Sequence, residues 1–169
     1  MSSQIKIQVL STVEGHVDEL SKLLVDVVDG GASIGFLPPM AYEEAQKYWR
    51  NVTEPNVILF VALWDRQLAG TVQLQLCPKQ NGLHRAEMAK LMTHPDYRNK
   101  GIGRLLMQTA ERRALEEGRT LLVLDTREGD PSNHLYASLG YIQAGRIPDY
   151  AKSADGKLDA TVIYYKQIS

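Results

Sequence analysis

The spacing of apolar residues along the chain predicts alternating strands and helices in the order β-α-α-β-β-β-α-β-α-β-β. Ile5, Ile7 and Val9 alternate with polar residues, as in a half-buried strand. Apolar residues recur every three or four positions in 17–28 and 102–117, as in helices that cover a core. The predicted helices are 17–28, 41–51, 102–117 and 133–139, and the predicted strands are 5–9, 56–63, 68–76, 85–92, 121–124, 141–147 and 161–168.

Glycines and prolines separate these segments. Residues 30–39 carry Gly30, Gly31, Gly35 and Pro38-Pro39 and are predicted to form a loop. We find no internal repeat and no linker, so residues 1–169 are predicted to form a single domain. Strands precede helices repeatedly in the C-terminal half. This predicts an α/β (α+β) fold in which helices cover both faces of a mixed sheet.

Composition narrows the functional classes. The 169 residues are 44% hydrophobic and 23% charged, with a net charge of −1, which lacks the basic excess of a nucleic-acid binder. A single cysteine, Cys77, permits no intrachain disulfide and suits a reducing compartment. Residues 1–8 do not have the pattern of a signal peptide, and no apolar stretch approaches the roughly 18 residues of a membrane span. We therefore expect a cytoplasmic protein that binds neither nucleic acid nor membrane.

The segment Arg98-Asn99-Lys100-Gly101-Ile102-Gly103 follows a predicted strand and opens a predicted helix. A turn there directs several backbone N–H groups outward at the positive end of a helix dipole, which favours an anion such as a pyrophosphate. The segment lacks the Gly-Lys-Ser/Thr ending of a Walker loop, and it has Leu106 where a dinucleotide fingerprint needs its third glycine. Taken alone, it is also consistent with a structural turn before a helix.

A second motif decides between these interpretations. Leu135-Tyr136-Ala137-Ser138-Leu139-Gly140-Tyr141 follows Arg98-x-x-Gly101-x-Gly103 by some thirty residues. Together they make residues 85–147 resemble the GNAT superfamily of N-acetyltransferases, in which this turn cradles the CoA pyrophosphate and the preceding strand contacts the pantetheine arm. The resemblance implies a GNAT-like, mostly antiparallel sheet and acetyl-CoA as the acyl donor. It implies cofactor contacts for Leu91, Met92, Thr93, Arg98, Asn99, Lys100, Gly101, Ile102, Gly103 and Arg104. A family asparagine that also contacts pantetheine is Gly129 here, so either Asn133 or Ser132 takes its place or that contact is lost.

A narrower resemblance concerns the substrate. His84-Arg85-Ala86-Glu87, Lys90-Leu91-Met92, Leu124-Asp125-Thr126 and parts of the tail from Pro148 to Lys166 look like the tabtoxin-resistance acetyltransferases. Those enzymes acetylate a small amino-acid-like toxin, so this resemblance implies a small-molecule amine and a role in detoxification.

Three residues are candidates for catalysis. Tyr136 matches the family tyrosine that faces the CoA sulfur and can protonate the leaving thiolate; otherwise it is a core tyrosine. Glu87 matches a strand glutamate that serves as general base, and partial burial would raise its pKa; otherwise it pairs with Arg85 or Lys90. Asp125 ends an apolar run at the edge of the predicted cleft and matches a proposed base; otherwise it is a turn or capping residue.

The remaining candidates concern metal and substrate. The four histidines are scattered without ligand spacing, which argues against a metal site. Substrate loops are predicted at 30–40, with Phe36 and Leu37 as apolar lid residues, and at 145–159, whose acidic residues would attract a cationic amine. The acidic residues named there are Asp149, Asp155 and Asp159, with Tyr150 beside them.

Three functions therefore stand at the level of sequence. The first is a small-molecule N-acetyltransferase, the second is a protein or peptide amine acetyltransferase, and the third is a non-catalytic acyl-CoA-binding module. The retained Glu87, Asp125 and Tyr136 weigh against the third, and the family resemblance adds a possible homodimer.

Overall fold

A computed structural model of the protein describes residues 4–169, and within them a seven-stranded sheet carries helices on both faces. Expectations that concern Met1, Ser2 and Ser3 lie outside the described residues. The strands are β1 (Ile5–Leu10), β2 (Val57–Trp64), β3 (Gln67–Leu76), β4 (Arg85–Thr93), β5 (Leu121–Arg127), β6 (Ile142–Lys152) and β7 (Leu158–Gln167); the helices are α1 (Val17–Asp29), α2 (Tyr42–Arg50), α3 (Ile102–Glu116) and α4 (Ser132–Ser138). The predicted order of elements is confirmed.

The sheet has the spatial order β1-β2-β3-β4-β5-β7-β6. Within residues 4–169, β4 and β5 form the one parallel pair of neighbours, and the other neighbours pair antiparallel. The predicted mixed, mostly antiparallel sheet is therefore confirmed. The parallel pair arises because α3 carries the chain from one end of β4 back to the start of β5, as a crossover between parallel strands requires.

Alternating residues of the central strands supply two hydrophobic cores. In β2, Phe60 and Ala62 pack in the core that α3 covers, whereas Leu59 and Val61 pack in the core of α1 and α2. This is the period of two that a strand imposes when both faces are buried. Trp49 of α2 is fully buried in the second core. A large apolar side chain of this kind contributes about 1.5–3 kcal/mol when it is fully buried.

Two strands extend at their C-terminal ends by three residues or more beyond the prediction. β5 continues through Asp125 to Arg127 because these polar residues still pair with β7, and Arg127 lies opposite Thr161. β6 continues past the predicted end at Ile147 to Lys152, which pairs with Leu158. The prediction that residues 145–159 form a loop is therefore wrong. Most of these residues belong to the β-hairpin of β6 and β7, whose turn is 153–157. The polar residues at the end of β5 and Pro148 in β6 interrupt the alternation of apolar residues from which the strands were predicted.

β6 forms one outer edge of the sheet. Between Ile147 and Ala151 its register with β7 shifts, and within this bulge stand Pro148 and Asp149, whose φ is 50°. Proline lacks an N–H to donate, and edge strands tolerate it for that reason. Across residues 4–169, none of the helices combines the length and apolar character needed to span a membrane.

β4 and β5 separate in the middle of the sheet. They pair only from Arg85 to Glu87 of β4, opposite Leu121 to Val123 of β5, although both strands continue beyond these residues. At the same place β4 has a bulge opposite β3, where Lys90 takes a φ of 55°. A bulge bends its strand and increases the local twist. Residues 88–93 therefore have no partner on β5, and a gap opens between the two strands.

Candidate active site

A cleft of about 980 Å³ lies at the gap between β4 and β5. Its walls come from four places in the chain: the loop after α1, the separated ends of β4 and β5, the start of α3 with α4, and the β6–β7 hairpin. Because residues 88–93 lack a partner on β5, their backbone groups on that side are free for a ligand. A crevice of this kind, where strands of a sheet part, is a common ligand site.

One end of the cleft is formed by the first turn of α3. Gly101, the N-cap residue, has a φ of 80°, Asn99 has a φ of 61°, and no side chain caps the helix. The unsatisfied N–H groups of the first turn therefore point outward. A Cβ at Gly101 would meet no atom within 4 Å, so glycine is needed there for its left-handed backbone conformation and not for lack of space. A Cβ at Gly103 would lie 3.4 Å from the Leu135 side chain. The turn has the geometry of an anion site.

Most of the predicted cofactor residues reach this cleft. Met92 and Ile102 are buried in the two cores, so their contribution is the backbone. Arg104 also donates to the Ser138 hydroxyl at 2.6 Å, which holds its guanidinium at the start of α3. The predicted residues that line the cleft are Leu91, Met92, Thr93, Arg98, Asn99, Gly101, Ile102, Gly103 and Arg104.

Two predicted cofactor residues are placed elsewhere. The Lys100 ammonium lies 4.8 Å from the centroid of the Trp64 ring, and Lys100 does not line the cleft. Asn133 does not line it either. Its amide nitrogen donates to the carbonyls of Arg127 and Asp130, both at 2.9 Å, and its oxygen accepts from the Tyr164 hydroxyl at 2.8 Å. The geometry therefore gives the predicted Asn133 contact no support, whereas Ser132 does line the cleft.

Glu87 and Asp125 face each other across the cleft from β4 and β5. Partial burial raises the pKa of the Glu87 carboxyl and the negative charge of Asp125 raises it further, while Lys90 opposes both. The Glu87 side chain remains open to the cleft by surface area, so this desolvation is partial. Among residues 4–169, Glu87 makes no ion pair, so the alternative of a pair with Arg85 or Lys90 is not what the geometry shows. One Asp125 oxygen accepts from the Thr161 hydroxyl at 2.8 Å.

Tyr136 lines the cleft from α4 and is only 6% exposed. Its ring packs between those of Tyr141 and Tyr164, with centroids 5.9 and 6.0 Å away. Burial, followed by the charge of Asp125, raises the pKa of the Tyr136 phenol well above its usual range. The phenol is therefore protonated at any physiological pH and can donate a hydrogen bond.

A family model supplies the observation that decides the affiliation. The model of the acetyltransferase (GNAT) family matches residues 26–141, which include the α3 turn, both candidate carboxylates and Tyr136. The chain belongs to the GNAT family of acetyltransferases. As a GNAT protein it is an acyltransferase, and the sequence resemblance to this family is confirmed.

Known proteins agree with this assignment. An uncharacterized N-acetyltransferase in the hisH-hisA intergenic region of Azospirillum brasilense is 35% identical over 118 residues, which cover 68% of this chain and 70% of that protein. An acetyltransferase structure from Acinetobacter baylyi superposes with a TM-score of 0.83 at 20% identity, over 99% of this chain and 95% of that one. A Salmonella typhimurium structure, described as an acetyltransferase with its cofactor acetyl-CoA, gives 0.80 at 15% identity, over 98% and 94%. These two structures share the GNAT fold.

Sequence reasoning missed the residues that shape the other end of this GNAT cleft. From the sequence, Lys90 is named only within a motif of the narrower resemblance and as an alternative partner of Glu87, and Arg127 and Thr161 are given no role in the site. All three line the cleft, and Lys90 and Arg127 bond to residues 56 and 96 positions away. No local pattern can reveal contacts over such separations.

The predicted substrate loops are partly supported. Residues 31–35 line the cleft, but Phe36 packs edge-on against Tyr48 at 5.3 Å and Leu37 is exposed. From the hairpin, Tyr150 and Asp159 line the cleft, whereas Asp149 and Asp155 do not. Within residues 4–169, no group of three or more His, Cys, Asp or Glu side chains is arranged to hold a metal ion.

Proposed function

We propose that this GNAT enzyme transfers the acetyl group of acetyl-CoA to a primary amine of a small molecule. The proposal depends on the groups that one cleft brings together. These are the uncapped N-terminus of α3, the carboxylates of Glu87 and Asp125, and the buried phenol of Tyr136. The first feature suits a pyrophosphate. The carboxylates and the phenol suit a proton transfer at an amine and at a leaving thiolate.

The proposed chemistry is direct attack. The amine nitrogen forms a bond to the thioester carbon, and the C–S bond breaks. Glu87, whose pKa is raised, accepts the proton that the amine must lose. Asp125 holds the substrate ammonium before that step. Tyr136 donates its proton to the departing sulfur, and the second proton that the nitrogen loses as the amide forms returns to the Tyr136 phenolate. Backbone N–H groups of residues 88–93 are available to the carbonyl oxygen as it gains charge.

We call the part of the cleft that is lined by residues 31–35, Tyr150 and Asp159 the acceptor end. Its shape favours a small amine as the acyl acceptor. The segment 31–35 and the hairpin residues Tyr150 and Asp159 close on it from two sides. The carboxylates Glu87, Asp125 and Asp159 favour a cation. The resemblance to the tabtoxin-resistance group supports an amino-acid-like compound and a role in detoxification. A peptide amine would need an open channel on this side of the cleft.

The test combines binding and turnover on one preparation. Acetyl-CoA and CoA are titrated in a thermal-shift assay, and thiol release is then followed with free amino acids, aliphatic diamines and the peptide trialanine. We expect a shift with both ligands and thiol release with a free amino acid or a diamine. Release with trialanine alone would favour the peptide acetyltransferase. A shift without release would favour the non-catalytic module, and no shift at millimolar acetyl-CoA would overturn the proposal.

Three further properties remain predictions. We propose that residues 1–169 act as one catalytic domain, that the enzyme works in the cytoplasm, and that it forms a homodimer. Light scattering coupled to gel filtration checks the last of these directly, because a monomer of 18.9 kDa and its dimer differ twofold in mass.

A further inference from the structure

Two cations approach the same loop from opposite sides of the gap between β4 and β5. The Lys90 ammonium, on β4, donates to the carbonyl of Ile34. The Arg127 guanidinium, at the end of β5, donates to the carbonyl of Gly31 at 3.1 Å. The segment 31–35 is thus fastened to both separated strands, and every residue in it lines the cleft.

The contact at Lys90 depends on close packing. Its ammonium lies 5.5 Å from the centroid of the Phe36 ring, and a Cβ placed on Gly35 would stand only 2.8 Å from it. Gly35 also has a φ of 94°, which a residue with a side chain rarely adopts. Burial lowers the pKa of Lys90, and the charges of Glu87 and Asp125 oppose that effect. A half-buried ammonium is costly unless it is bonded, so this lysine is held in place by its partners.

Arg127 joins three parts of the cleft wall. Besides Gly31, its guanidinium donates to Asp130 in the turn before α4 and to the Ser153 hydroxyl at the hairpin tip, both at 3.0 Å. Ser153 in turn donates to Asp159, which lines the cleft. One planar group therefore sets the relative position of the loop, the turn and the hairpin. Arginine suits this role because it offers several donors in a fixed geometry.

We propose that Lys90 and Arg127 are positioning residues that hold the segment 31–35 as the wall of the acceptor end and thereby restrict the acceptor to a small amine. This inference rests on the proposed function. The two side chains act through the loop they hold, and neither is assigned a step in the transfer. Without them, residues 31–35 keep the bond from Ala32 N–H to the Val27 carbonyl of α1 and the apolar packing of Ala32 and Ile34, but lose these two hydrogen bonds to the separated strands.

Limited digestion with chymotrypsin tests the fastening without any substrate. Phe36 lies beside the segment, and the fragment that ends there is quantified by mass spectrometry. In Lys90→Met and Arg127→Met we expect cleavage after Phe36 to be at least about tenfold faster than in the wild type, because local opening exposes the loop. Lys90→Arg and Arg127→Lys should restore part of the protection. Lys6→Met, an exposed site on β1, is the matched control. Wild-type cleavage rates in both methionine variants would overturn the proposal.

Steady-state kinetics then test the effect on the acceptor. With a diamine and trialanine as probes, the methionine variants should show a raised KM for the diamine, an unchanged KM for acetyl-CoA, and a rate on trialanine that rises relative to the diamine. Faster cleavage with unchanged acceptor KM and selectivity would overturn the role in acceptor restriction. Absence of turnover in the wild type with free amino acids, diamines and trialanine alike would instead refute the proposed function, and the digestion result would still decide whether the loop is fastened.

Discussion

Asp125 lies close enough to Glu87 for its negative charge to raise the pKa of the Glu87 carboxyl, and this sets an expected pH response for the enzyme. The pKa of Glu87 is raised by burial and by the negative charge of Asp125. If Glu87 is the base, kcat/KM falls as the pH drops through that raised pKa, because the carboxylate takes up a proton. The acidic limb of the pH profile therefore reports on Glu87.

Replacing Asp125 with Asn removes one of the two causes of the raised pKa. We expect the acidic limb of kcat/KM to move to lower pH, with a weaker affinity for the amine because its partner charge is lost. A pH–rate profile of Asp125→Asn beside the wild type measures both. If Asp125 is itself the base, the variant instead loses activity by about 100-fold or more at every pH.

Glu87→Gln should separate activity from stability. We expect kcat/KM to fall by about 100-fold to 10,000-fold, as for the loss of a general base. A carboxyl whose folded pKa is raised stabilises the fold most when it is protonated, and that stability is lost as the pH rises through the folded pKa. The variant should therefore melt at a higher temperature than the wild type near neutral pH, with a difference that shrinks toward acid pH. A variant that melts lower near neutral pH would contradict this argument.

Tyr136 and Tyr164 form a matched pair of buried phenols. Tyr136→Phe keeps the ring contacts and removes the proton donor, so we expect kcat to drop about 100-fold with little change in melting temperature. Tyr164→Phe removes the bond to Asn133, which costs about 1 kcal/mol of stability, and should leave kcat near the wild-type value. Thermal melts and kcat values for both variants check this. Equal loss of kcat in the two variants would refute a specific role for Tyr136.

At the scale of elements, the start of α3 depends on a backbone conformation that only glycine adopts easily. Gly101→Ala adds no clash but places a side chain at a φ of 80°, which costs about 1–2 kcal/mol. We expect a lower melting temperature and a weaker affinity for CoA, because the outward N–H groups lose their arrangement. Gly145→Ala, also without a neighbour within 4 Å but without a positive φ, is the control. Calorimetric titration with CoA measures the difference, and equal affinity in both variants would show that the turn does not bind the pyrophosphate.

The elements themselves were largely predictable, because periodicity is a local property. Residues 102–117 were predicted as a helix and α3 occupies Ile102–Glu116. The predicted strand ends are wrong where the cleft or strand pairing requires residues that break the apolar alternation. β5 extends into polar residues because Asp125 and Arg127 face the cleft while their backbones pair with β7, and β6 passes through Pro148 by means of a bulge. The turn at the start of α3 was predictable from its glycine spacing, whereas its interpretation as an anion site needed the second motif.

At the scale of the whole molecule, a ligand bound in the gap between β4 and β5 should stabilise the fold. The two parts of the sheet meet at β4 and β5 through pairs that end at Glu87 and Val123. We expect CoA at 100 times its Kd to stabilise the fold by about 2.7 kcal/mol. In hydrogen exchange, the amides of 88–93 should be protected by CoA far more than those of β1. Uniform protection of all strands would contradict binding in the gap.

The arrangement of the cleft could not be predicted to the same extent. The sequence placed Glu87, Asp125 and Tyr136 in one site only through the family resemblance. Nothing in their spacing brings β4 and β5 together, since the crossover through α3 and the gap depend on the whole sheet. The same holds for Arg127 and Lys90, whose partners lie in a loop that is distant in sequence. These contacts depend on packing between distant segments, and local patterns in one sequence do not reveal such packing.

The bulge in β6 has a consequence for the protein at high concentration. An outer strand of 11 residues is a template onto which another chain can add, and such addition is a route to aggregation. Pro148 lacks the donor that an incoming strand requires, and the left-handed Asp149 twists the edge out of register. We therefore expect strand addition along this edge of the sheet to be disfavoured even at high protein concentration.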